Sequence, residues 1–225
     1  MTDVVDKKSG STRQDIIRAA AREFALKPYT LVNVDDILAH ADVTKGAMYT
    51  HFRSKNALAR AIVEHRIAVA EALVEDLQTP SSSALETLID VSYLVATGDI
   101  SDDMARASLN LLESVGRFDG FQAKIIDHWV TGFANIARRA IEEGDVVHTS
   151  DPVAVGRLIV SMYLGLRQTS DLDEPKTLFG DLEAAWLLLL PGFADPQRLD
   201  YLRAFIRRRS ALAIRNTAPL VNGNL

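Results

Sequence analysis

Between Asn33 and Lys55 the chain reads NVDDILAHADVTKGAMYTHFRSK, and the second half of this run carries side chains suited to a polyanion and to base edges. Thr44 and Lys45 would open a short helix, where backbone N–H groups and the helix dipole favour phosphate. Tyr49 offers a hydroxyl to phosphate and a ring to a thymine methyl or a sugar. Gly46 and Thr50 would lie on the same outward face, while His51 and Lys55 stand where the chain leaves a groove and suit backbone contacts, which position more than they specify. Asn33, the N-cap of the preceding helix, completes the candidate set for DNA. Taken by spacing alone, these residues would serve equally as a solvated polar surface, with Tyr49 as a partly buried ring.

The elements that must hold this face are two short helices. One begins after Asn33, with Val34, Ile37 and Leu38 turned inward; the other runs from about Thr44 to His51. Only Ala41-Asp42-Val43 separate them, a spacing that predicts a helix-turn-helix. Val43, Ala47 and Phe52 can face the first of the pair, which leaves the other side free for the major groove, wide enough to admit a helix. Ahead of them a helix is expected to start after Ser11/Thr12, with Ile16, Ala20 and Phe24 on one face. It should end near Lys27-Pro28, because proline disfavours helical geometry in the residue before it.

Helix signals continue along the whole chain, without period-two alternation, so the fold class is all-α: an N-terminal three-helix head, residues 1–55, joined to a larger helical body, residues 56–225. Ser54 should cap a helix reaching about Gln78, and TPSSS, residues 79–83, marks the seam. Further helices are expected from Ser83 or Ala84 to about Thr97, from Asp102 to about Ser114, from Phe121 to Glu143 before Gly144, from Asp151-Pro152 to Thr169, and over about Leu178–Leu190. A last helix is expected to open at Asp195-Pro196, with a frayed tail NTAPLVNGNL.

The 225 residues carry a net charge of −5, unpromising for a DNA binder until the chain is divided. Residues 1–60 hold +3 and the remainder −8. A basic head can act locally because charges are screened beyond ~8–10 Å in physiological salt. The absence of cysteine excludes disulfides, thiolate zinc sites and thiol nucleophiles. His40, His51, His65, His128 and His148 are scattered, with no metal-binding spacing, phosphate loop or nucleophile elbow, so neither catalytic residues, a metal nor a cofactor is expected. MTDVVDKKSG does not read as a secretory signal, and the longest apolar run, Ala184 to Leu190, falls short of the ~18 residues of a membrane span; a cytoplasmic location is expected.

The run V-T-K-G-A-M-Y-T-H-F-R-S-K, Val43 to Lys55, resembles the V-x-K-G-x-L-Y-x-H-F-x-S-K pattern of the TetR family of transcriptional regulators, and I-I-R-A-A-A-R-E-F, Ile16 to Phe24, is similar to that family's first helix. Met48 stands where leucine is usual, a conservative core change; Thr50 stands where some subgroups have an aromatic, which bears on the target sequence. The resemblance implies a repressor that binds double-stranded operator DNA as a homodimer, through a four-helix bundle of its last two long helices, and that a small apolar effector releases. Segments 154–171 and 181–193 are apolar enough for that bundle. Together with Trp129 they also resemble the γ-butyrolactone-receptor subgroup, in which a tryptophan at the matching position lines the ligand pocket. Tyr93, Leu109, Phe133, Met162 and Tyr163 are further candidates for that lining. Regulation of lipid metabolism or drug efflux with another ligand, or DNA binding without an effector, are the alternatives.

Overall fold

The computed structural model describes residues 2–77, 82–117 and 119–220, with side chains from Thr12 onward. Among the described residues ten α-helices follow one another: α1 Thr2–Leu26, α2 Val34–Ala41, α3 Lys45–His51, α4 Lys55–Leu77, α5 Ala84–Ser101, α6 Asp103–Val115, α7 Phe121–Glu142, α8 Pro152–Thr169, α9 Pro175–Leu189 and α10 Leu199–Asn216. No strand occurs among the described residues; an isolated bridge joins Val146 and Ala194. The described chain forms two compact units, one running up to Ala70 and taking in Asp102–Ala123, the other made of Glu71–Ser101 and of Lys124 to residue 220.

In the first unit the apolar residues fall at helical spacing and meet in one core. Ile16, Ala20 and Phe24 of α1 are fully buried, as are Ile37 of α2, Met48 of α3, and Leu58, Ala59 and Ile62 of α4. Each large side chain removed from water contributes about 1.5–3 kcal/mol. Helix α6 packs on α1, and its Asn110 amide donates to the carbonyls of Phe24 at 2.9 Å and Ala25 at 3.3 Å. Those carbonyls belong to the last turn of α1, whose C-terminal acceptors have no partner within the helix. Arg60 of α4 pairs with Asp119 and lies 4.1 Å from the centre of the Phe121 ring, so the turn after α6 grips α4 as well.

The second unit is built around α5, buried on nearly every side, as expected of a helix apolar all round. It packs against α9 and α10. Ser83 and Glu86 close its first turn reciprocally: the Glu86 N–H donates to the Ser83 hydroxyl and the Ser83 N–H to the Glu86 carboxylate. Helices α7 and α8 cross at Gly156, where a Cβ would fall 2.8 Å from the Val130 carbonyl oxygen and the Ala134 nitrogen. Between α5 and α8 the fully buried Asp99 accepts from Arg167 Nε at 2.7 Å and from the Tyr163 hydroxyl at 3.0 Å.

Several boundaries differ from expectation. Helix α1 runs through Thr12 to start at Thr2, since Ser and Gly cost only about 1 kcal/mol or less each inside a helix. Gly98 likewise does not stop α5, which continues to Ser101. Helix α9 begins at Pro175, the favoured first position for proline, rather than at Leu178. Asp195-Pro196 forms a turn, in which Asp195 accepts from the Gln197 N–H, and α10 starts only at Leu199. The tail is tied down as far as Leu220, whose N–H donates to the Ile100 carbonyl. The proposed end of the fourth helix at Gln78 and most of the TPSSS seam lie outside the described residues.

The Asp99–Arg167 pair has a measurable consequence. Removing one partner of a buried ion pair leaves the other charge without compensation. Asp99→Ala is expected to lose about 3–5 kcal/mol in urea denaturation, and a double change of Asp99 and Arg167 to apolar residues of similar size to recover most of it.

Candidate nucleic-acid interface

Helix α3 has one buried side and one open side. Met48 is fully buried and Phe52, just past the helix end, nearly so; Val43 and Ala47 are half-buried. Thr44, Lys45, Gly46, Tyr49 and Thr50 are all exposed, and so is Asn33. The helix opens with a side-chain cap, the Ala47 N–H donating to Thr44 Oγ1 at 3.2 Å. Thr50 donates to the Gly46 carbonyl at 3.0 Å, which leaves its methyl and its oxygen lone pairs toward solvent. Asn33 precedes α2 in extended geometry without making a side-chain cap, so its amide is not engaged at that helix end. His51 is half-buried, its ring tilted against Phe52.

The turn between α2 and α3 depends on Asp42, at φ 51° and ψ 45°, the one non-glycine residue at positive φ among the described residues. Aspartate tolerates this left-handed conformation better than most residues because its short side chain can bond locally. The reversal lets the Asp42 and Val43 N–H groups return to the Ala39 and Leu38 carbonyls, so α2 is closed off and α3 can begin two residues later.

Lys55 is placed differently from the free cation expected at the groove edge. Its ammonium donates to the carbonyls of Tyr29 at 2.7 Å and Val32 at 2.9 Å and sits 4.2 Å from the centre of the Tyr29 ring, which stacks on Phe24. Burial draws its pKa below the usual lysine value. The side chain therefore ties the start of α4 to the loop that leads into α2, and α3 lies between the two tied points. Lys45 is exposed, with its ammonium 3.8 Å from an Asp35 carboxylate oxygen in the first turn of α2. Asp35 carries no motif signal; only the folding of α2 against α3 brings it to Lys45. Arg13 of α1 stands 5.1 Å from the centre of the Phe52 ring, a second contact that periodicity does not reveal.

The candidates for a ligand lie elsewhere. Leu109 is buried in α6 of the first unit. In the second unit Trp129 and Phe133, one turn apart on α7, and Met162 on α8 are half-buried. Tyr163 reaches Asp99, and Tyr93 stacks on Phe179, its hydroxyl pKa pushed up by burial. Among the described residues no group of three or more His, Asp or Glu side chains could hold a metal ion, and no helix is long and apolar enough to cross a membrane.

The two lysines should separate in a salt titration with duplex DNA. Each phosphate contact contributes about 0.9 to the slope of log K against log salt concentration. Lys55→Met is expected to leave that slope unchanged while lowering the melting temperature. Lys45→Ala is expected to weaken binding by about 1–3 kcal/mol and to alter the sequence preferred.

Residues 16–62, from the second half of α1 to the first turns of α4, match the family model of bacterial regulatory proteins of the tetR family. The A-factor receptor protein of Streptomyces griseus is 31% identical over 193 residues, covering 85% of this chain and 67% of that protein. Among solved structures, the TetR family protein CprB from Streptomyces coelicolor, in complex with its biological operator sequence, superposes with a TM-score of 0.75 at 28% identity, covering 91% of this chain and 99% of that one. A gamma-butyrolactone receptor described as ArpA-like gives 0.74 at 25% identity, with 91% and 98% covered. With the helix-turn-helix and its open face already in place, these likenesses establish that the chain belongs to the tetR family of bacterial regulatory proteins, in the subgroup of the butyrolactone receptors, and is a DNA-binding transcriptional regulator.

Proposed function

We propose that the protein is a homodimeric repressor acting in the cytoplasm, whose head, residues 1–55, binds operator DNA and whose body, residues 56–225, carries the dimer surface and an effector site. The observation that carries the reading is the open face of α3, where Thr44, Lys45, Gly46, Tyr49 and Thr50 are exposed together while Met48 and Phe52 hold the opposite side in the core. Asn33 and His51 flank that face and serve as contacts to the DNA backbone; Lys55 acts by holding the head in shape.

Dimerisation is supported by two stripes on the last long helices before α10. On α8, Ala154, Leu158, Ser161 and Gly165 are exposed at helical spacing; on α9, Thr177, Gly180, Ala184 and Leu188 repeat the pattern. The residues of each stripe are small or apolar, with exposed Arg157 and Asp181 at the edges, and Leu188 is 82% exposed. A Cβ added at Gly165 or Gly180 would meet nothing within 4 Å, so packing inside the protomer does not require glycine there. Glycine costs about 1 kcal/mol in a helix relative to alanine, and close approach of a second helix accounts for its use. A two-fold dimer would present two α3 helices to successive major-groove segments.

For the effector, the similarity to the γ-butyrolactone receptors supports a lactone or a related apolar molecule. Trp129, Phe133 and Met162 keep partly open faces and are its leading contacts, with Tyr93 and Tyr163 as buried support; Leu109 belongs to the other unit and is not part of this set. A pocket for such a molecule is mostly apolar with one or two polar anchors, and the Trp129 indole N–H suits a carbonyl acceptor. Effector and operator would then weaken each other's binding by the same factor, as linkage requires. No catalytic step is part of this reading.

Two measurements test it. Leu188→Asp is expected to shift the protein to monomer in sedimentation equilibrium and to reduce operator affinity; a variant that stays dimeric would remove α9 from the interface. A γ-butyrolactone titrated against the complex of the protein with DNA from upstream of its own gene, at fixed salt, is expected to release the DNA. Release by other apolar ligands alone would favour a regulator of lipid metabolism or efflux, and release by none a regulator without an effector.

A further inference from the structure

The acid beside the reading face has no place in the function described so far. Asp35 is the second residue of α2, with a side chain 81% exposed, and its carboxylate oxygen is 3.8 Å from the Lys45 ammonium at the start of α3. An acid in the first turn of a helix complements its dipole, but the adjacent Asp36 supplies that charge as well. As a stabilising ion pair, two exposed side chains at this distance contribute little. As a neighbour of DNA, an exposed carboxylate on the surface that approaches a polyanion weakens binding to every sequence alike. A charge so placed must do something other than raise affinity.

We propose that Asp35 is a specificity-determining residue that acts through Lys45. The Lys45 side chain has two uses on DNA: it can rotate toward the phosphates, a contact every duplex offers, or extend into the groove toward base acceptors, a contact only some sequences offer. Paired with Asp35, the ammonium is drawn toward the α2 side of the face and its charge is partly offset. Turning to a phosphate breaks that pair and leaves the carboxylate alone before the backbone. Contact with a base acceptor leaves the pair in place, since an ammonium has three donors and can serve both. The pair thus penalises the indiscriminate contact more than the selective one, and discrimination is gained by weakening the wrong complex.

The test uses the full-length protein, the duplex that the wild type selects from a random-sequence library, and a scrambled duplex of the same composition. At moderate salt Asp35→Asn is expected to tighten binding to the scrambled duplex by about 3- to 10-fold more than it tightens binding to the selected duplex, so that the ratio between them falls. Asp36→Asn controls for net charge and should shift both duplexes together. In a Lys45→Ala background Asp35→Asn should no longer alter the ratio. Equal tightening on both duplexes would reduce Asp35 to general repulsion, and loss of affinity for the selected duplex alone would make it a direct base contact. Either result overturns the proposal, as does a ratio that stays constant. Failure of the wild type to select any duplex would instead count against the DNA-binding reading on which this proposal rests.

Discussion

A seven-residue helix does not hold itself together in water, because nucleating the first turn costs more than so few hydrogen bonds return. Everything about the head follows from having to stabilise α3 from outside. Its underside is nailed into the core by Met48 and Phe52, its start is fixed by the Asp42 reversal and the Thr44 cap, and its exit is fixed by Lys55, anchored to the loop before α2. With both ends and one face committed, the backbone of α3 is held in place, which lowers the ordering cost of a helix entering a groove.

This division of labour accounts for which residues were legible. The face itself was readable, since the alternation of Met48 and Phe52 with Thr44, Lys45, Tyr49 and Thr50 follows helical geometry that sequence spacing encodes. The partner of each polar group was not. Lys55 lies at the end of a motif rich in exposed polar residues, yet its ammonium turns to the Tyr29 and Val32 carbonyls, more than twenty positions earlier in the chain. Asp35 meets Lys45 across the turn for the same reason: folding brings together what spacing keeps apart.

In the body the difference runs the other way. Helix order was readable from caps and prolines, with Asp102, Asp151 and Pro152 where expected. Boundaries that rested on poor helix formers were misjudged, because tertiary burial outweighs propensity: Gly98 sits within α5, which is buried over most of its surface and does not break. The apolar α8 and α9 segments were read as material for a dimer bundle, and each keeps an exposed stripe of small and apolar residues. Composition can register an excess of apolar residues; only coordinates say which face is left over.

The compact unit that contains the recognition helix also draws on Asp102–Ala123. Asn110 closes the end of α1, Asp103 lies 3.7 Å from Arg22, and Asp119 with Phe121 holds Arg60. During synthesis these partners emerge long after α1 to α4. A ribosome that has finished the helix-turn-helix has therefore not finished the unit that stabilises it, and a chain released before residue 123 would carry the reading face without its supports. Sequence contiguity and the compact unit part company here: the open face of α3 is made first, and the unit that supports it is complete only once Ala123 has been translated.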